Sequence, residues 1–104
     1  MPNSYRISFT GSGVPAIRED DNIDSLVDNA TGDFTLNIGT DFASGNYVVA
    51  GCGKIAEGGF TYNTECIWVP QAFPPLVGST RINVFAINVG LHDAEVVTVL
   101  AHGD

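Results

Sequence analysis

Basic residues are nearly missing from this 104-residue chain: Lys and Arg total 4 against 12 Asp and Glu, a net charge of −8 at pH 7. A surface that holds phosphate needs the opposite sign, which excludes nucleic acid and anionic membranes as partners. Charge of either sign is scarce too, at 15% of residues against about 25% in an average globular domain. The surface helix formers Glu, Gln and Lys number only 4, 1 and 1, too few to coat helices. No apolar run approaches the roughly 18 residues of a spanning helix, and the start MPNSYRISF has no basic segment leading into an apolar one. The chain therefore reads as a soluble, unprocessed protein. Cys52 and Cys66 form no CxxC pair. A small fold without a secretion signal tends to use such residues as buried small hydrophobes, although a bridge is open to them if their strands are neighbours.

What fills the water-facing positions instead is Ser, Thr and Asn, at 6, 8 and 8 residues. These favour turns, caps and strands. Apolar residues make up 44%, enough for one domain and one core. Short alternating stretches bounded by turn residues then predict an all-β fold, an antiparallel β-sandwich spanning residues 1–104 as a single domain. Tyr5, Ile7 and Phe9 share one strand face, and Gly11, Gly13 and Pro15 end that strand. Ile23 to Val27 and Phe34 to Ile38 flank the turn cluster Asp28 to Asp33, a hairpin signal. Tyr47 to Gly53 is apolar on both faces, which predicts cover on both sides, in the sheet centre or beneath a neighbouring subunit. Phe60 to Val69 reads as a strand, followed by an extended loop through Pro70, Phe73, Pro74 and Pro75. Arg81 to Val89, with both faces apolar, and Glu95 to Ala101 are expected to pair as a final hairpin around Gly90, His92 and Asp93. Any helical turn should lie near Gln71 or within Asp41 to Ser44.

Little in the chain points to catalysis. His92 and His102 stand in no HExxH spacing and beside no Ser or Cys partner, so no catalytic residue is assigned and the chain is expected not to be an enzyme. The acidic run Glu19 to Asp24 fits a calcium loop in part, with Asp20, Asn22 and Asp24 at the first three ligand positions. Ser25 replaces the turn glycine, however, and Thr31 stands in place of the closing Glu. A solvated acidic loop is the simpler reading, and no metal or other cofactor is expected. Asp28 and Asp33 read as turn residues, Gly11-Ser12-Gly13 as a turn and Asn29-Ala30-Thr31 as a chance match to a glycosylation site. The aromatics Phe60, Tyr62, Trp68 and Phe73 are the remaining feature. Core edge is the ordinary reading, and a contact surface of Tyr62, Trp68 and Phe73 for a protein or sugar is the functional one.

The stretches Ile7 to Gly13, Ala16 to Arg18, Asn22 to Ser25, Asp28 to Ile38 and Asn46 to Val49, with Thr80 to Phe85 and Val96 to Val99 at the end, resemble a small β module of tailed bacteriophages. That module occurs at the ends of tail-fibre-like proteins and as separate small virion proteins. Ala30 departs from it where glycine is usual, so this turn position should not need a positive φ. The resemblance implies a jelly-roll-like sandwich, a trimer and a non-enzymatic place on the virion surface, whether capsid or tail. With Met1 directly before the module and no shaft, the leading expectation is a capsid decoration protein clamped to the major capsid protein or another virion protein. A fibre-tip component comes next. The alternative is a host-receptor or carbohydrate-binding module of the tail that meets a host surface glycan. Strands apolar on both faces agree with a homotrimer, since sister subunits would cover the spare apolar surface.

Overall fold

A computed structural model describes residues 4–11, 14–54, 65–86, 90–91 and 96–103. Nine strands appear in it: β1 (Ser4–Thr10), β2 (Ala16–Asp21), β3 (Ile23–Ala30), β4 (Asp33–Ile38), β5 (Val48–Lys54), β6 (Glu65–Trp68), β7 (Ser79–Ala86), β8 (Gly90–Leu91) and β9 (Val96–His102). All their pairings are antiparallel, and the described residues include no helix. The all-β antiparallel class expected from the composition is thus the class observed. The helical turns expected near Gln71 or within Asp41 to Ser44 do not form: the chain makes a turn at Gln71 and a bend from Ala43.

Strand order along the hydrogen-bonded path is β2-β1-β9-β5-β6-β7-β4-β3, with β8 beside β7. Early strands pair with late ones in a nested way: β1 with β9, β4 with β7, and β5 with β6. The path folds over on itself, so that the half carrying β1 and β9 faces the half carrying β4 and β7. Period-two alternation explains which side chains meet there. β1 buries Tyr5, Ile7 and Phe9, and β9 buries Val97, Val99 and Ala101. From the facing half β4 contributes Phe34, Leu36 and Ile38, and β7 contributes Ile82 and Val84. The Phe9 and Phe34 rings meet edge to face with centroids 5.0 Å apart, an arrangement favoured by the ring quadrupoles. At one end Tyr5, Phe42 and Tyr47 pack together, and the Tyr47 hydroxyl lies 2.6 Å from Thr80 Oγ1. Burial pushes both phenols above their ordinary pKa, which keeps them protonated and able to donate.

The β3–β4 hairpin forms as the turn residues predict. Its left-handed position is Gly32 at φ 66°, while Ala30 keeps a negative φ, in line with its side chain. The final hairpin does not form. β7 pairs with β4, β6 and β8, whereas β9 pairs with β1 and β5 in the other half. Both edges of β7 are already occupied, so the chain crosses over, and local apolar pattern carries no information about that choice. Residues Ile87 to Val89 of the expected strand and Phe60 to Thr64 of the preceding one lie outside the described residues. On β7 the inner face carries buried Ile82 and Val84. Arg81 and Asn83 are half-buried on the outer side, and the side chains of Phe85, Ile87 and Val89, expected to form a second apolar face, lie outside the described ones.

β5 meets one branch of its expectation and not the other: it sits mid-path, but Val48 is 70% exposed, and Ala50 and Cys52 are exposed as well, so among the described residues none covers its outer face, and the cover expected from a neighbouring subunit is the branch left. Leu100 on β9 opposes Ala50 and is 53% exposed on the same face. Cys52 is a free, exposed thiol directly across from Cys66, not the buried small hydrophobe expected. A Cβ at Gly51 would run into the carbonyl of Thr98, which explains a glycine in mid-strand.

The acidic run is not a loop. Glu19, Asp20 and Asp21 belong to β2, an exposed edge strand whose charges discourage pairing with another chain, and Glu19 accepts from Arg6 at 2.9 Å. Asn22, between β2 and β3, adopts φ 60°, the left-handed region that Asn tolerates best after glycine. Its Oδ1 accepts from the Thr40 amide at 2.7 Å, its Nδ2 donates to the carbonyls of Ser4 and Thr40, and its own carbonyl accepts from the Gly39 amide. One side chain thus ties the start of β1 to the end of β4. Asn22→Ala combines lost hydrogen bonds with left-handed strain and should cost about 2–3 kcal/mol in urea unfolding. Asn22→Gly loses the bonds without the strain and should cost about 1 kcal/mol less. Equal losses would show that φ strain plays no part.

Candidate functional site

The outer face of β6, β7 and β4 gathers the polar and aromatic groups that the core excludes. Because Ile67, Ile82, Val84, Phe34 and Leu36 point inward, the alternate positions Trp68, Arg81, Asn83, Asp33 and Thr35 point outward. Register aligns them in rows. Trp68 opposes Asn83, which opposes Asp33, and Arg81 opposes Thr35. Trp68 Nε1 donates to Asn83 Oδ1 at 3.1 Å, fixing the indole orientation while 51% of the residue stays exposed.

Residues 69–78 fold back over this face. Prolines at 70, 74 and 75 keep the segment from adding a regular strand, and the Phe73 amide donates to the Pro70 carbonyl at 3.0 Å to close a turn. The turn sets the Phe73 ring over Arg81, whose guanidinium carbon lies 3.8 Å from the ring centroid. Arg81 is itself held by a two-pronged contact, Nε to Asp33 Oδ1 at 2.9 Å and Nη2 to Asp33 Oδ2 at 2.7 Å. Asn29 Nδ2 donates to Asp33 Oδ1 and to Thr35 Oγ1. The chain of contacts Asn29–Asp33–Arg81–Phe73 therefore anchors the loop to the β3–β4 hairpin.

Two depressions adjoin at Ala72. One, of about 530 Å³, is lined by Trp68, Pro70, Gln71 and Asn83 among others. The second, of about 360 Å³, is lined by Phe73, Pro74, Leu76, Arg81 and Thr35 among others. Both fall in the size range of small-ligand sites. Phe73 is 46% exposed and Leu76 60% exposed, so this is an open aromatic surface and not the core edge of the ordinary reading. Tyr62, the third residue expected here, lies outside the described residues, as does His92. His102 ends β9, opposite Ser4 and Val48, away from this face. Among the described residues no group of three or more His, Cys, Asp or Glu is placed to hold a metal.

Arg81, Asn83, Asp33 and Thr35 were not singled out by sequence reasoning. Asp33 reads locally as a turn residue, and its use as the partner of Arg81 depends on a pairing 48 positions apart. The available signal was modest: polar residues at 81 and 83 alternate with apolar Ile82 and Val84, which marks an outward face without saying what covers it. The Arg81 guanidinium holds the Asp33 carboxyl below the ordinary aspartate range. A depressed carboxylate contributes stability that is complete above about pH 4 and lost as pH falls through the lower folded value. Asp33→Asn should therefore remove part of the acid sensitivity below about pH 4 and lower stability at neutral pH by about 1 kcal/mol. Parallel acid titrations of the two proteins followed by circular dichroism measure both, and superimposable curves would dissociate Asp33 from acid unfolding.

No protein-family description and no curated protein matches this chain. Among solved structures, it is similar to the phiAB6 tailspike, crystallised in complex with three-repeated oligosaccharides of Acinetobacter baumannii surface polysaccharide. The TM-score is 0.58 at 14% identity, over 99% of this chain and 20% of the tailspike chain. The chain thus spans about a fifth of the length of the protein it matches. At this identity the likeness is one of fold, an all-β one like that expected from the sequence.

Proposed function

We propose that this chain is a non-enzymatic, glycan-binding β module of a bacteriophage tail, carried on the virion as a jelly-roll-like sandwich in a homotrimer. The observation that carries the reading is the exposed pair Trp68 and Phe73, each ring held in place by a polar partner beside open depressions. Sugar rings present apolar C–H faces with hydroxyls at their edges. An aromatic plane next to Asn83, Thr35 and Gln71 offers both kinds of contact. Likeness to a tailspike solved with an oligosaccharide favours a tail position over the capsid surface and a glycan over the major capsid protein as partner. The trimer rests on the bare outer face of β5 and β9, where Val48 and Leu100 are exposed. Catalysis is left out of the proposal because glycoside hydrolysis employs two carboxylates flanking the bond. Among the described residues neither depression is lined by one.

Binding of the purified protein to host-surface polysaccharide, and its block of phage adsorption, tests the reading. Capture of the polysaccharide with competition for adsorption is the expected result. A protein that captures none, and that instead protects decoration-free capsids from heat, would belong to the head.

A further inference from the structure

Resting on that glycan reading, we infer that the ligand class is an uncharged oligosaccharide, and that glycans bearing carboxylates are rejected. The inference comes from where this chain's few cations are. Of its 4 basic residues, Arg81 alone belongs to the two depressions described. Its Nε and Nη2 both donate to Asp33, and the face of its guanidinium is covered by Phe73. The Nε/Nη2 edge of that fork is taken by Asp33 and the charge is met there, so an incoming carboxylate finds a cation that is already paired. Arg6 is paired with Glu19 on the β1–β2 edge, at 2.9 Å. Arg18 belongs to the edge strand β2. Lys54 continues β5 past the position opposite Glu65, at the end of β6 remote from Trp68.

The remaining polar groups at the two depressions are neutral. Asn83 and Gln71 bring amides, Thr35 and Ser79 hydroxyls, all suited to sugar hydroxyl or acetamido groups. A net charge of −8 on a chain this small surrounds the surface with a negative field, which lowers the local concentration of anions at low ionic strength. Stacking on Trp68 and hydrogen bonds to neutral groups are what this surface offers. Carboxylate-bearing sugars would add repulsion with no compensating contact.

The test is titration calorimetry of the wild-type protein and Trp68→Ala with matched oligosaccharides: neutral hexose and N-acetylhexosamine oligomers, and uronate- or sialate-bearing oligomers of equal length, at low and at physiological salt. The expected result is that neutral oligomers bind at least about tenfold tighter at low salt, with the gap narrowing as salt screens the field, and that Trp68→Ala weakens them. Acidic oligomers that bind as tightly as neutral ones, through Trp68, would overturn the charge inference and leave the glycan reading standing. No binding by any oligomer in the panel overturns both.

Discussion

Phe34→Ala is expected to lower the free energy of unfolding by about 3–5 kcal/mol. The ring is fully buried on β4, meets Phe9 edge to face with centroids 5.0 Å apart, and so joins the two halves of the folded-over path through the core. Its removal subtracts the transfer free energy of the ring and leaves a cavity that neighbours can close only partly, because Leu36 and Ile82 are themselves held by ladder pairing. Cavity formation weighs heavily here. A domain of this length has total stability of about 5–15 kcal/mol, and the halves share few backbone bonds in the described β5–β6 contact, which pairs Cys52 with Cys66 and Gly53 with Glu65. Val27→Ala, on the neighbouring strand but 42% exposed, is the control and should cost under about 1 kcal/mol. Urea unfolding followed by far-ultraviolet circular dichroism gives both numbers. A loss for Phe34→Ala no greater than for Val27→Ala would mean that the halves do not face each other across this ring.

Trp68→Ala is expected to weaken glycan binding by about 30-fold, the equivalent of about 2 kcal/mol, while changing stability by less than about 1 kcal/mol. The separation of effects follows from position. The indole stands on the outer face, 51% exposed, and its Nε1 donates to the side chain of Asn83 on the same face. Trp68→Phe keeps an aromatic plane but loses the bond that orients it, so an intermediate affinity is expected. Phe73→Ala should lose less than Trp68→Ala, since part of that ring is already spent on Arg81. Calorimetry with a bound oligosaccharide orders the three variants. A Trp68→Ala protein with unchanged affinity would place the glycan elsewhere.

These predictions separate what was legible along the chain from what was not. β1, β4 and the β3–β4 hairpin were readable because their signals are local: alternation in Tyr5-Ile7-Phe9 and Phe34-Leu36-Ile38, and turn residues ending in Gly32. β2 was missed because Arg18 to Asp21 has no apolar alternation, and an exposed edge strand has no face to bury. The pairing of β9 was misassigned for a different reason. Its apolar residues suit any neighbouring strand, and its neighbours β1 and β5 lie far away in sequence. The candidate surface shows the same divide. Trp68 and Phe73 stood out as aromatics in a Pro-rich stretch, whereas Asn83, Arg81 and Asp33 look like ordinary strand and turn residues until register brings them together.

By itself, then, the sequence determined the all-β class, the buried faces of β1 and β4, and a scarcity of cations. Composition and period-two patterning are properties of the chain before it folds, and solvent acts on them directly. Tertiary structure decided which strands became neighbours, which apolar residues stayed outside on β5 and β9, and where the few cations were used. Those outcomes depend on long-range pairing, in which many registers bury the same apolar residues and the choice among them rests on the whole fold. The shortage of basic residues gained a location: among the described residues, the cation at the aromatic surface, Arg81, is already bound by Asp33.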